Sequence, residues 1–183
     1  MNCSRRQALG LLACAAGASL LTRPARGEDS SPTLMVKRIA LNNLHTGEAL
    51  DIEYFRDGLY LPDALARIEI LLRDFRNGEK HAIDPVLIDY LHEVARASRV
   101  EPEFAVISGY RSPETNELLR RGSSGVAAHS MHLEGRAVDV RLAGVDCADL
   151  AACARSLARG GVGYYRASDF VHLDTGAFRT WQG

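Results

Sequence analysis

The chain of 183 residues is 46% hydrophobic and 25% charged, with 22 basic against 23 acidic residues. That apolar share suffices for one globular core and argues against a disordered chain, and nothing in the near-even charge suggests nucleic-acid binding. The sequence also lacks internal repeats, a phosphate-cradling glycine loop and a Ser-His-Asp nucleophile elbow.

Residues 1–27 stand apart. Ser4-Arg5-Arg6-Gln7-Ala8-Leu9 precedes an apolar run through Leu21, and Ala25-Arg26-Gly27 offers small residues for cleavage, the form of a twin-arginine signal peptide. The run is shorter than the roughly 20 apolar residues a membrane span needs. The mature form, residues 28–183, is therefore expected in the periplasm without a stable membrane span. Leu11-Leu12-Ala13-Cys14 has the form of a lipoprotein box but lies early in the apolar run rather than at its end; if used, it would anchor the protein through Cys14. Removing Arg5, Arg6, Arg23 and Arg26 leaves 18 basic against 23 acidic residues, a mildly acidic domain.

From Met35 to about Tyr60 the pattern alternates, Lys37 to Leu41 and Leu50 to Phe55 with His45-Thr46-Gly47-Glu48 between them, which predicts a hairpin. Pro62 starts a helix with Leu65, Ile68, Leu71 and Leu72 at helical spacing, expected to run until Asn77-Gly78. Asp84-Pro85 caps a second helix to about Ser98. Glu103 to Ser108 reads as a strand, Ser112-Pro113 starts a short helix through Arg121, and the glycine- and serine-rich segment 122–130 reads as a loop over a cleft. A helix from about Cys147 to Ala158 sets its two cysteines on largely opposed faces, so a disulfide between them is not expected. Val162 to Tyr165 and Phe170 to Asp174 form a C-terminal hairpin. The predicted architecture is α+β: a small, largely antiparallel sheet with helices packed on one face and the site on the other.

The most informative stretch is Ser130-Met131-His132-Leu133-Glu134-Gly135-Arg136-Ala137-Val138-Asp139, followed by Asp169-Phe170-Val171-His172. Arg136 to Leu142 reads as a strand with Val138, Val140 and Leu142 on one face and Ala137 and Asp139 on the other. Gly135 permits a sharp turn that folds His132 over the Asp139 face. Phe170, His172 and Asp174 share one face of the last strand, so pairing the two strands would gather His132, Asp139 and His172. A lone histidine beside a strand is more often structural, but two imidazoles and a carboxylate in this arrangement are the donor set of a catalytic zinc with a fourth position open.

Ser-x-His-x-x-Gly-x-Ala-x-Asp, filled here by Ser130, His132, Gly135, Ala137 and Asp139, resembles the motif of the LAS metallopeptidases, the group of lysostaphin, the D-Ala-D-Ala peptidases and hedgehog. The closer resemblance is to the D-Ala-D-Ala peptidase family and its YcbK-like murein hydrolases. That resemblance implies a hedgehog/D-Ala-D-Ala peptidase-like fold, a Zn2+ cofactor held by His132, Asp139 and His172, and Asp169, three residues before the last ligand, as general base. The family often has Glu there. Some relatives carry a catalytic His two residues before the last ligand, where this chain has Phe170. Ser108-Gly109-Tyr110-Arg111-Ser112 resembles the segment whose arginine binds the substrate carbonyl or carboxylate, which makes Arg111 that residue, with Tyr110, Ser130 and His129 beside it for substrate binding.

The implied chemistry is metal-assisted amide hydrolysis, with Asp169 moving the proton and Arg111 stabilising the carbonyl oxygen. The implied substrate is the peptide cross-links of peptidoglycan, cut by an endopeptidase during wall remodelling. A carboxypeptidase or dipeptidase trimming stem peptides would use every residue named, and a zinc-stabilised wall-binding module would need the ligands but neither Asp169 nor Arg111. The sequence leaves the oligomeric state open.

Overall fold

The computed structural model describes residues 35–122 and 126–183, so the signal-like segment, with Arg5, Arg6 and Cys14, lies outside the described residues. Strand β1 (Val36–Asn43) and strand β2 (Ala49–Arg56) form the expected hairpin, with Leu41 opposite Leu50. Its turn is held by the Asn43 side chain, whose Oδ1 accepts from the His45 and Thr46 amides. Asp57-Gly58, with φ of 51° and 87°, makes the mirror-image two-residue turn that hairpins favour, and returns the chain as the short strand β3 (Leu59–Tyr60).

Helix α1 (Pro62–Leu71) stops earlier than its spacing predicts. The residues beyond it form a compact turn in which Asp74 accepts from the Gly78 and Arg76 amides and its own amide donates to Glu79. Helix α2 (Pro85–Ala97) begins as expected, with Asp84 Oδ1 accepting from the Val86 amide at 3.0 Å. Then follow β4 (Glu103–Ser108), α3 (Pro113–Gly122), a 3₁₀ turn (Met131–Glu134), β5 (Ala137–Leu142), α4 (Cys147–Leu157), β6 (Gly161–Tyr165), β7 (Phe170–Asp174) and β8 (Arg179–Gln182). Cys147 is buried, Cys153 half-buried, and both are free thiols.

All eight strands join one sheet in the order β3-β2-β1-β4-β5-β7-β6-β8. This corrects the expected small, largely antiparallel sheet: it is large and mixed. The parallel pairing of β1 with β4 fuses the N-terminal hairpin to the site-bearing strands, and β8 adds a second parallel join along β6. One face of the sheet is the core. Ile39, Phe104, Val106, Val138, Val140, Val171 and Leu173 meet Leu87, Leu91 and Val94 of α2 and Leu150 and Ala154 of α4 there, all essentially without solvent exposure. Each large apolar side chain so buried contributes roughly 1.5–3 kcal/mol. The core thus supplies the stability, and the alternate residues of β5 and β7 can be polar.

Candidate metal centre

Asp139 in the middle of β5 lies directly opposite His172 on β7, which brings their Cβ atoms to about 5 Å on one face. His132 arrives from the 3₁₀ turn. Ser130 caps that turn by accepting from the His132 amide, and Gly135 ends it at φ 66°, so the chain reverses into β5. A Cβ on Gly135 would overlap the Ala82 carbonyl, so the tight approach as well as the conformation calls for glycine.

His132 Nε2 lies 3.3 Å from Asp139 Oδ1 and 3.2 Å from His172 Nδ1, and His172 Nδ1 lies 2.9 Å from the same carboxylate oxygen. Ligand atoms about 2.0–2.1 Å from a tetrahedral ion stand roughly 3.3 Å apart. The three side chains therefore converge at the separations of one triangular face of such a site, and all three are buried. The opposite nitrogens are already committed. His132 Nδ1 is 2.6 Å from the Gly109 carbonyl, and His172 Nε2 is 2.9 Å from Asp174 Oδ2. Each second nitrogen donates outward to an oxygen, the tautomer in which His132 Nε2 and His172 Nδ1 would turn lone pairs toward a bound metal ion. The donor set fits a metal ion.

Electrostatics agree with that geometry. Burial would raise the Asp139 carboxyl, but His132 and His172 beside it hold it far below its ordinary value. Burial would lower His172, yet hydrogen bonds to Asp139 and Asp174 push it up to about 9. His132 goes the other way, driven down chiefly by burial. With no metal bound, the carboxylates of Asp139 and Asp174 on its two nitrogens thus favour the charged form of His172.

Arg111 follows β4. Its Nη2 is 3.8 Å from Asp139 Oδ2, and its Nε is buried without a partner among the described residues. Burial pushes the guanidinium down from its ordinary value against the opposing pull of Asp139. The segment carrying it is clamped from below: Asp74 Oδ2 accepts from both the amide and the hydroxyl of Ser112, and the Tyr110 amide donates to the Leu72 carbonyl. Gly109 lies against that same carbonyl, where a Cβ would not fit. Asn116 of α3 spans from Arg111 Nη1 to the Ala127 carbonyl, tying the arginine to the loop above.

The cluster opens into a cleft of about 380 Å³ lined also by Arg111, His129, Ser130, Tyr165, Phe170 and Trp181. Ser130 and His129 line this cleft, on the part of segment 122–130 that is described. Two residues do not. Tyr110 is buried beneath the cleft, its hydroxyl donating to Glu79 and its ring stacked on His81, so it supports Arg111 and does not face substrate. Asp169 sits in the turn between β6 and β7, at φ 51° just before the strand that carries His172. There its carboxylate pairs with Arg141, and it lines a larger cavity of about 540 Å³ with Phe104, Arg141 and Cys147. That cavity contains neither histidine, and the expected general base does not belong to the metal cluster.

The sequence reading missed four residues. Asp174, with no exposed surface, accepts from His172 Nε2, from both Arg179 Nη atoms and from the Gly161 and Gly176 amides. Arg179 and Trp181 come from β8, and Trp181 Nε1 donates to the Tyr165 hydroxyl. The parity of β7 already placed Asp174 on the His172 face; β8 offered no comparable signal.

The family model described as peptidoglycan L,D-endopeptidase MepK matches residues 31–181. The peptidoglycan L,D-endopeptidase MepK of Escherichia coli K12 is 39% identical over 180 residues, covering 98% of each chain. A probable peptidoglycan L,D-endopeptidase MepK of Haemophilus influenzae is 38% identical over 181 residues, covering 98% of this chain and 96% of that one. No solved structure matches.

Proposed function

The chain belongs to the peptidoglycan L,D-endopeptidase MepK family, and on that premise we propose that it is a zinc-dependent murein endopeptidase whose site is the His132–Asp139–His172 cleft. The observation that carries the reading is the convergence of the two histidines and the aspartate at 2.9–3.3 Å, each histidine oriented by a second hydrogen bond. Two imidazoles, one carboxylate and no thiol is a donor set suited to catalytic zinc. A bound zinc ion would supply Lewis acidity, polarising the scissile carbonyl and making water acidic enough to attack near neutral pH.

The chain's own residues do the rest. Arg111, half-buried and lining the cleft, offers a charged donor for the substrate carbonyl or carboxylate. Ser130 and the loop residues above it bound the peptide. With Asp169 outside the cleft, proton transfer falls to His129, the one cleft imidazole that is not committed to the cluster. It would take a proton from the attacking water and return it to the leaving amine.

The family's description names the bond class. An L,D bond joins the carbonyl of an L centre to an amine on a D centre. Meso-diaminopimelate carries one centre of each kind, so a direct link between two such residues is the cross-link we assign as substrate. Such a substrate lies outside the cytoplasm, and we place the protein in the periplasm, with residues 1–27 as a twin-arginine signal and residues 28–183 as the peptidase domain. No described helix is long and apolar enough to cross a membrane.

The test is digestion of purified dimeric muropeptides joined through diaminopimelate. The expected product is monomers, with activity lost on chelation and restored by zinc. Release of only a terminal residue, with dimers left intact, would replace the endopeptidase by a carboxypeptidase.

A further inference from the structure

With the three converging side chains set aside, the cleft offers few groups able to act on a substrate. Arg179 is engaged by Asp174. Arg111, His129, Ser130 and Tyr165 remain, and of these Tyr165 has no assigned role.

Tyr165 closes β6. Its ring stacks on Phe170 at 4.5 Å and 14°, and its hydroxyl oxygen accepts from Trp181 Nε1 at 3.1 Å. Trp181 is itself fixed. It lies over Gly163, where any Cβ would overlap the indole, and its ring packs 5.1 Å from that of His172. An indole N–H only donates, so the phenol oxygen is the acceptor in this pair and its own hydrogen is left for another partner. No acceptor for that hydrogen exists among the described residues. The phenol and Arg111 line the same cleft, so the two donors address one region. A donor whose ring plane and oxygen position are set in advance needs no reorganisation when charge develops before it.

We propose that Tyr165 is a further catalytic residue, its phenol donating a hydrogen bond to the scissile carbonyl oxygen as that oxygen gains charge, with Trp181 the positioning residue that holds it. No proton is transferred in this role. The proposal rests on the endopeptidase reading above.

The zinc-loaded protein is assayed on purified diaminopimelate-linked muropeptide dimers. Tyr165→Phe keeps the stack on Phe170 and removes only the hydroxyl. The expected result is a fall in kcat of about 10²–10³-fold, the scale of losing one oxyanion donor, with KM, zinc stoichiometry and Tm nearly unchanged. Trp181→Phe keeps an aromatic ring and loses the orienting N–H, so a smaller fall in kcat is expected. The double variant should be no slower than Tyr165→Phe alone, since Trp181 acts through the phenol. Near-normal kcat in Tyr165→Phe, or a loss that tracks loss of zinc, overturns the proposal; additive losses in the double variant overturn the role given to Trp181. A wild-type protein that leaves dimers intact removes the functional reading and this inference with it, whereas a wild type that splits them beside an equally active Tyr165→Phe removes this inference alone.

Discussion

Replacing Asp174 by Asn changes one atom in a side chain with no solvent exposure and tests how the cluster is held. Burial alone would raise this carboxyl, but the hydrogen bonds from His172 and Arg179 hold it well below its ordinary value. Oδ1 accepts from the Gly161 and Gly176 amides and Arg179 Nη1; Oδ2 accepts from His172 Nε2 at 2.9 Å and Arg179 Nη2 at 2.7 Å. An asparagine keeps its oxygen at the two amides and so turns its NH2 toward His172 Nε2. Two donors then face each other, and the imidazole is relieved by carrying its hydrogen on Nδ1, the atom aimed at Asp139. That hydrogen blocks the lone pair a metal would use. Loss of such an orienting partner weakens metal binding by about 10–100-fold, or about 1.4–2.7 kcal/mol. Zinc competition against a chelating dye gives the affinity, and nitrogen chemical shifts of the imidazole give the tautomer. An Asp174→Asn variant that binds zinc as tightly as wild type, with Nδ1 free of hydrogen, would refute the argument.

Asp169→Ala should keep both its zinc and near-normal kcat, because the carboxylate lies in the Arg141 turn; a loss of about 10²-fold, the usual scale for a general base, would show that the turn reaches the substrate. The metal-free protein should lose stability as pH rises. His172 is raised from 6.5 to about 9 in the folded chain, so its contribution is fully present below about pH 6.5 and disappears as the pH passes about 9. Melting temperatures of the chelated protein between pH 6.5 and 9.5 measure this, and a flat profile would contradict a charged His172 between its two carboxylates.

The strands that build the site were legible because they obey one period. Val138, Val140 and Leu142 alternate with Asp139, and Val171 and Leu173 with His172, so their parity and the pairing of β5 with β7 follow from burial on one face. The helices announced themselves through Pro62, Asp84-Pro85 and Pro113. The size of the sheet did not, since the parallel pairing of β1 with β4 joins segments separated by two helices and leaves no local pattern in either. β8 was hidden for a different reason. Of Arg179, Thr180, Trp181 and Gln182 only Trp181 is even half-buried, so no alternation betrays a strand. Asp169 was misplaced because spacing from His172 was counted along the sequence. An odd offset of three sets it off the His172 face, and the turn, with Asp169 at φ 51°, hands its carboxylate to Arg141.

The segment 72–84 carries no reacting group, yet both loops that bring functional atoms to the cleft rest on its backbone: Gly109 on the carbonyl of Leu72, Gly135 on that of Ala82. Asp74, Asn77 and Glu79 then fasten Ser112 and Tyr110 from the same side. The proposed site is for that reason not a portable motif. Transplanting His132, Asp139, His172 and Arg111 into another sheet of matching register would carry over the chemistry's vocabulary without its grammar, and a designer would have to move the irregular stretch after α1 as part of the same unit.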